Sequence, residues 1–132
     1  MITLAFADDS IFQHALLKIK IRKDPRFRLD IFAFDGLELI EKLEKANEIP
    51  DVCILDLQMP ELNGIETAQR LTHRFPKLLL FGWTTCQEPS KITQMLSSGV
   101  LEVFAKEDVD SMFTAIEEGI LSQQKNQMRK EA

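Results

Sequence analysis

The stretch VCILDLQMPELNGIE, residues 52–66, decides the fold. It opens on four consecutive apolar residues, Val52 to Leu55, a run too short for a helix and apolar on both faces, as in a strand covered from both sides. Asp56 stands at the strand's carboxyl end. After a loop marked by Pro60, a helix starts: Asn63 and Glu66 have the capping-box spacing, and Ile65, Ala68 and Leu71 form the apolar face that follows.

The same unit recurs on either side. Ile2 to Ala7, Leu78 to Phe81 and Val100 to Ala105 are near-continuous apolar runs, and Phe27 to Phe34 is a fifth, more polar segment suited to a sheet edge. Between them lie helical patterns with start and stop signals. Ser10 precedes Ile11, Phe12, Ala15, Leu16 and Ile19. Asp35 with Glu38 precedes Leu39, Ile40 and Leu43. Pro89 suits the first turn of a helix through Ile92, Met95 and Leu96, which Gly99 ends. Asp108 can cap a last helix carrying Val109, Met112, Phe113, Ile116 and Ile120 on one face. Five alternations with short connections predict an α/β fold, a doubly wound (βα)5 sandwich around a five-stranded parallel sheet. The polar residues 123–132 read as a frayed helix end or a linker, leaving residues 1–122 as the domain.

Composition agrees. The chain has 132 residues, 45% of them hydrophobic and 28% charged, which suits one globular domain and excludes a disordered one. A net charge of −5 argues against a nucleic-acid surface covering the domain as a whole. Cys53 and Cys86 form no C-x-x-C or zinc pattern, which fits a reduced, cytoplasmic protein. No apolar run approaches the roughly 20 residues of a membrane span, and the apolar start lacks the basic region of a signal peptide. His14 and His73 have no second ligand at metal spacing and read as surface or interfacial residues. Lys18 to Arg28 carries six basic residues and one acidic one, a docking patch for an acidic partner or nucleic acid, or simply a solvated helix end.

The ends of the strands carry the chemistry. In an open parallel sheet, ligands bind beyond the carboxyl ends of the strands, where strand order reverses. Strand 1 ends in Asp8-Asp9, strand 3 in Asp56, strand 4 near Thr84 and strand 5 in Lys106. If the order is 2-1-3-4-5, Asp9, Asp56 and Thr84 sit on consecutive strands about 4.8 Å apart, and Lys106 lies roughly 10 Å from Asp56 at the backbone, within reach of its side chain. Three carboxylates so close need a cation, and all-oxygen ligation favours Mg²⁺ or Mn²⁺. Taken singly, each residue has an ordinary use in capping, turns or solvation.

Asp8-Asp9, the run Asp56-Leu57-Gln58-Met59-Pro60 with Asn63-Gly64, Thr84 and Lys106 together resemble the receiver domain of two-component response regulators, most of all receivers of the LuxR/NarL transcription-factor class. The likeness spans residues 1–122. It implies a flavodoxin-like sheet of order 2-1-3-4-5 and an Asp56 that accepts a phosphoryl group from the phosphohistidine of a sensor kinase or phosphotransfer protein. It further implies Mg²⁺ held by Asp8, Asp9, Asp56 and the backbone carbonyl of Gln58, a Lys106 that pairs with Asp56, and a Thr84 that registers the phosphoryl group. The output would pass through the helix 4, strand 5, helix 5 face. Transcription would be controlled through an effector domain that this chain lacks, so that DNA is contacted only indirectly. A further expectation for Met112, Phe113 and Ile116 of the last helix is either a homodimer contact or a stripe spent on the core; catalysis would be limited to the domain's own phosphorylation and dephosphorylation.

Five positions bear on how closely the chain follows the family pattern. Val103 replaces the aromatic partner of the threonine, and Phe104 should face the other side of the strand. Glu107 follows Lys106 where many receivers have proline, so a trans bond is expected. Thr85 is larger than the usual small residue, while Gln58 and Cys86 flank the route of the attacking water. They motivate an alternative, an interaction module that works without phosphorylation. A phosphohydrolase is disfavoured because Gln58 stands where a second acid–base carboxylate would be needed, and a dinucleotide site because the first turn is acidic and lacks a Gly-rich loop.

Overall fold

Apolar runs and capped helices alternate in the computed structural model, which describes residues 1–131, with the bounds β1 Ile2–Ala7, α1 Ile11–Arg22, β2 Phe27–Ala33, α2 Gly36–Lys45, β3 Val52–Leu55, α3 Gly64–Arg74, β4 Leu79–Thr84, α4 Pro89–Ser97, β5 Val100–Ala105 and α5 Val109–Glu131. All strand pairs are parallel, in the order β2-β1-β3-β4-β5, so the fold is the expected flavodoxin-like sandwich.

The sheet is buried on both faces, which is why its strands read as solid apolar runs. Cys53 and Leu55 point with Ala5, Ala7 and Leu80 into the layer closed by Leu39, Leu43, Leu71 and Met95. Their neighbours Val52 and Ile54 point with Leu4, Phe6, Phe81 and Trp83 into the layer closed by Leu17, Phe113 and Ile116. Burial pushes the Cys53 thiol well above its ordinary range, whereas Cys86 is half-buried. A mild thiol reagent is therefore expected to modify Cys86 alone in the native protein, with Cys53 reacting only after denaturation, as mass spectrometry of the labelled peptides would reveal.

The caps hold. Ser10, Asp35 and Asn63 accept hydrogen bonds from Gln13, Glu38 and Glu66 N–H at 3.2, 2.8 and 2.9 Å, each about 1 kcal/mol of helix stability. Gly99 adopts a left-handed φ of 109° at the end of α4, with the Thr72 hydroxyl 2.1 Å from where a Cβ would lie.

β4 extends beyond the apolar run Leu78 to Phe81 and ends at Thr84, where the sequence placed the strand's end. Gly82, which interrupts the apolar run, lies under Val103 and Met95, whose methyl groups would sit 3.1 and 3.3 Å from an added Cβ. Residues Lys106–Asp108 form a single 3-10 turn rather than a simple cap before α5. The polar segment after Ser122 continues α5 to Glu131, and Gln123 donates to the Lys77 carbonyl at 2.7 Å; Ala132 lies outside the described residues. Met112, Phe113 and Ile116 are turned into the core and are not available as a dimer surface.

The buried stripe of α1 is His14, Leu17 and Ile21, not the Ile11, Phe12, Ala15, Ile19 face; Ile11 and Phe12 are 77% and 71% exposed. The helix is rotated so that His14, far from being a surface residue, packs on Phe6 and Phe34 at centroid distances of 4.7 and 4.3 Å.

Candidate functional site

Parallel pairing brings the ends of the inner strands to one rim. Asp56 N–H donates to the Ala7 carbonyl at 3.0 Å, and Asp8 N–H donates to the Ala33 carbonyl at 3.2 Å, so the carboxylates after β1 and β3 emerge side by side. Carboxylate oxygens of Asp8, Asp9 and Asp56 lie within 4.8 Å of one another. Asp8 and Asp56 are buried and Asp9 is exposed, which gives the cluster a closed floor and an open mouth.

Few donors serve these oxygens. Asp8 Oδ1 accepts from Ser10 N–H at 2.9 Å and Asp56 Oδ1 from Leu57 N–H at 2.8 Å. Burial, with the negative charge of Asp8 beside it, pushes the Asp56 carboxyl above the usual carboxylate range; Lys106, the Thr84 hydroxyl and the Leu57 N–H offset only part of that. An acidic cluster built this way fits a small divalent cation, since like charges held so close are relieved by a bound positive ion and the donors are hard oxygens.

Lys106 enters from the end of β5, but its ammonium pairs with Asp8 rather than Asp56. Asp8 lies deeper, at 1% exposure against 8% for Asp56, and the more deeply buried charge gains more from a paired cation. The Lys106 ammonium also sits over the Trp83 ring, 4.2 Å from its centroid, and the Trp83 indole N–H donates to the Lys106 carbonyl at 3.2 Å. Thr84 is buried, pairs in register with Ala105, and its hydroxyl accepts from Cys86 N–H at 3.1 Å.

Gln58 is exposed and lines an open groove with Asp9, Met59, Pro60, Lys91 and Gln94. Thr85 is exposed, while Val103 packs into the α2–α4 layer and Phe104 into the opposite one, as strand alternation requires. Among the described residues no peptide bond is cis, Lys106–Glu107 included.

Two contacts at the site escaped the sequence reading. His14 Nε2 lies 2.8 Å from the Asp8 backbone carbonyl, which can only accept, so Nε2 carries the hydrogen and Nδ1 is left buried without a partner. The indole clamp on Lys106 is the other. Neither has a local signal, because each joins residues from separate strands or turns. In the basic run, Arg26 pairs with Asp24 and Glu117, Arg28 with Asp30 and Lys20 with Asp110, and Lys18 stacks on Phe32.

A doubly wound α/β domain with an acidic cluster at its strand-order switch defines a class that binds small charged ligands at that rim. The model of the response regulator receiver domain matches residues 4–117, and the chain belongs to that family. It is 29% identical over 110 residues to the transcriptional regulatory protein DegU of Brevibacillus brevis, covering 83% of this chain and 45% of that protein. To a protein-glutamate methylesterase/protein-glutamine glutaminase of Thermotoga maritima it is 33% identical over 107 residues, covering 80% of this chain and 30% of that one. The chain thus spans less than half the length of either relative. Among solved structures, the signal receiver domain of the response regulator NarL from Mycobacterium tuberculosis superposes with a TM-score of 0.76 at 21% identity, over 92% of this chain and 94% of that one. No described helix is long and apolar enough to cross a membrane.

Proposed function

We propose that this receiver domain is a phosphorylation-driven switch in which Asp56 takes a phosphoryl group from the phosphohistidine of a sensor kinase or phosphotransfer protein in the cytoplasm. The carrying observation is the convergence of Asp8, Asp9, Asp56 and Lys106 on one rim. An Asp56 carboxylate oxygen attacks phosphorus, the phosphorus–nitrogen bond breaks, and its electron pair returns to the donor imidazole. Mg²⁺ (or Mn²⁺), held by Asp8, Asp9, Asp56 and the Gln58 carbonyl, supplies charge neutralisation when bound.

The chain's own groups do the rest. Lys106, already at the site, moves its ammonium from Asp8 to a phosphoryl oxygen. The Thr84 hydroxyl, which accepts from the Cys86 N–H, donates its hydrogen to the phosphoryl group, drawing the β4–α4 loop inward and shifting an existing equilibrium at the α4, β5, α5 face. Ile11 and Phe12, exposed at the start of α1 beside Asp9, offer the donor protein an apolar docking surface. Gln58, Thr85, Cys86 and Val103 set access to the phosphoryl group and so its lifetime. Residues 1–122 form the working unit, and output, including transcription, passes to an effector outside it.

Acetyl phosphate with Mg²⁺ is expected to add one phosphoryl group to the intact protein, mapped to Asp56 and lost when the metal is chelated. Absence of any metal-dependent adduct across several phosphodonors would refute the proposal. Val103, in place of an aromatic side chain, favours a second reading as a phosphorylation-independent interaction module; phosphorylation that alters neither self-association nor partner binding would select it.

A further inference from the structure

We infer that Trp83 is a positioning residue for the phosphoryl-transfer site: its indole clamps Lys106 from two sides and sets where the ammonium rests. The inference deepens the reading of Asp56 as phosphoacceptor and rests on it.

Lys106 has four single bonds between backbone and ammonium, and a side chain so free would ordinarily lose much of its reach to entropy. Here both ends are held. The backbone end is fixed by the indole N–H, which donates to the Lys106 carbonyl at 3.2 Å. At the other end, the ammonium lies 4.2 Å from the centroid of the indole ring and 5.9 Å from that of Phe6. Trp83 is itself immobile: it is 0% exposed and packs against Phe6 at a centroid distance of 5.8 Å.

The indole face attracts a cation most strongly of the aromatic side chains, and more so where water is excluded. Lys106 is 11% exposed at its side chain. The clamp therefore fixes the ammonium within an arc whose two stations are Asp8, where it pairs in this structure, and the phosphoryl oxygens on Asp56. A hydrophobic core residue of the same size would fill the space but supply neither contact. Because the chain has one tryptophan and no tyrosine, its near-ultraviolet emission comes from Trp83.

A double-mutant cycle tests the inference. Phosphorylation rates with acetyl phosphate and saturating Mg²⁺ are compared for the wild type, Trp83→Leu, Lys106→Met and the double variant. Trp83→Leu is expected to slow the wild type about fivefold to thirtyfold, the rate equivalent of a desolvated cation–π contact, and to slow Lys106→Met by less than about twofold. Trp83→Phe, which keeps a ring but loses the N–H, should fall between wild type and Trp83→Leu. Equal losses in both Lys106 backgrounds, or none in either, overturn the inference.

Emission supplies a second readout should Trp83→Leu fail to fold. Phosphorylation should change the emission of the wild type, and Lys106→Met should shift it in the unphosphorylated protein; emission indifferent to both overturns the inference. A wild type that takes no phosphoryl group sinks the functional reading itself, whereas a phosphorylated wild type with additive losses sinks only the role of Trp83.

Discussion

Asp56→Asn is expected to abolish phosphoryl acceptance and, in the metal-free protein at neutral pH, to raise the melting temperature. The first effect is all-or-none: the amide has no anionic oxygen to attack phosphorus. The second follows from the electrostatics. Burial and the Asp8 charge raise the Asp56 pKa in the folded state above its unfolded value. A carboxyl so shifted favours folding while it is protonated, below the unfolded pKa, and that contribution is lost as pH rises through the folded pKa.

At pH 7, above the unfolded pKa, the raised carboxyl therefore costs the metal-free domain stability, and the isosteric amide relieves it. Each kcal/mol relieved shifts the melting temperature by roughly 3–5 °C in a domain of this size. The advantage of the variant should shrink as pH falls toward the ordinary carboxylate range. Adding Mg²⁺ should stabilise the wild type and reverse the order. A variant that melts below the metal-free wild type at pH 7 would show that Asp56 is compensated by contacts beyond Lys106, Thr84 and Leu57.

Gly64→Ala is expected to be the most damaging of the glycine-to-alanine changes within helices. Gly64 is the first residue of α3, and a Cβ there would lie 2.3 Å from the Asp56 carbonyl oxygen and 2.8 Å from the Leu57 Cα. Both are backbone atoms, so no side chain can swing aside. The same residue closes the loop after Asp56, with Gly64 N–H donating to the Leu57 carbonyl at 2.8 Å. The helix must retreat or the Asp56–Leu57 peptide must shift, at a cost of about 3 kcal/mol or more.

Because that peptide carries the phosphoacceptor, phosphorylation should fall along with stability. Gly119→Ala is the contrast. In the interior of α5 its Cβ would meet only side-chain tips, Phe81 Cζ at 3.3 Å and Leu79 Cδ1 at 3.6 Å, while alanine gains about 1 kcal/mol of helix propensity. Urea denaturation of both variants decides the matter; similar midpoints for the two would mean that the contact at Gly64 does not govern stability.

The elements and the identities at the rim were legible because both are written locally. Solid apolar runs mark strands buried on two faces, and Ser10, Asp35 and Asn63 announce helix starts by hydrogen bonds within three residues. One failure is instructive by its position. The face of α1 was misjudged because Ile11, Phe12, Ala15 and Ile19 have the right spacing, while the actual stripe is led by a polar residue, His14, whose partner is a carbonyl six residues back. The apolar run that leads to Thr84 is interrupted at Gly82 because the space this glycine occupies is defined by β5 and α4.

By itself the sequence determined the order of strands and helices and the acidic and basic residues that reach the rim, since each depends on periodicity, capping or strand-end placement within one segment; the receiver family came from the resemblance of that rim set taken together. Only the tertiary structure decided which partner Lys106 takes, that Trp83 grips it, that His14 lies under Asp8 and that the apolar stripe of α5 is buried. These are choices among neighbours far apart in the chain, made by relative burial and charge, and they exist only once the layers have closed around the sheet.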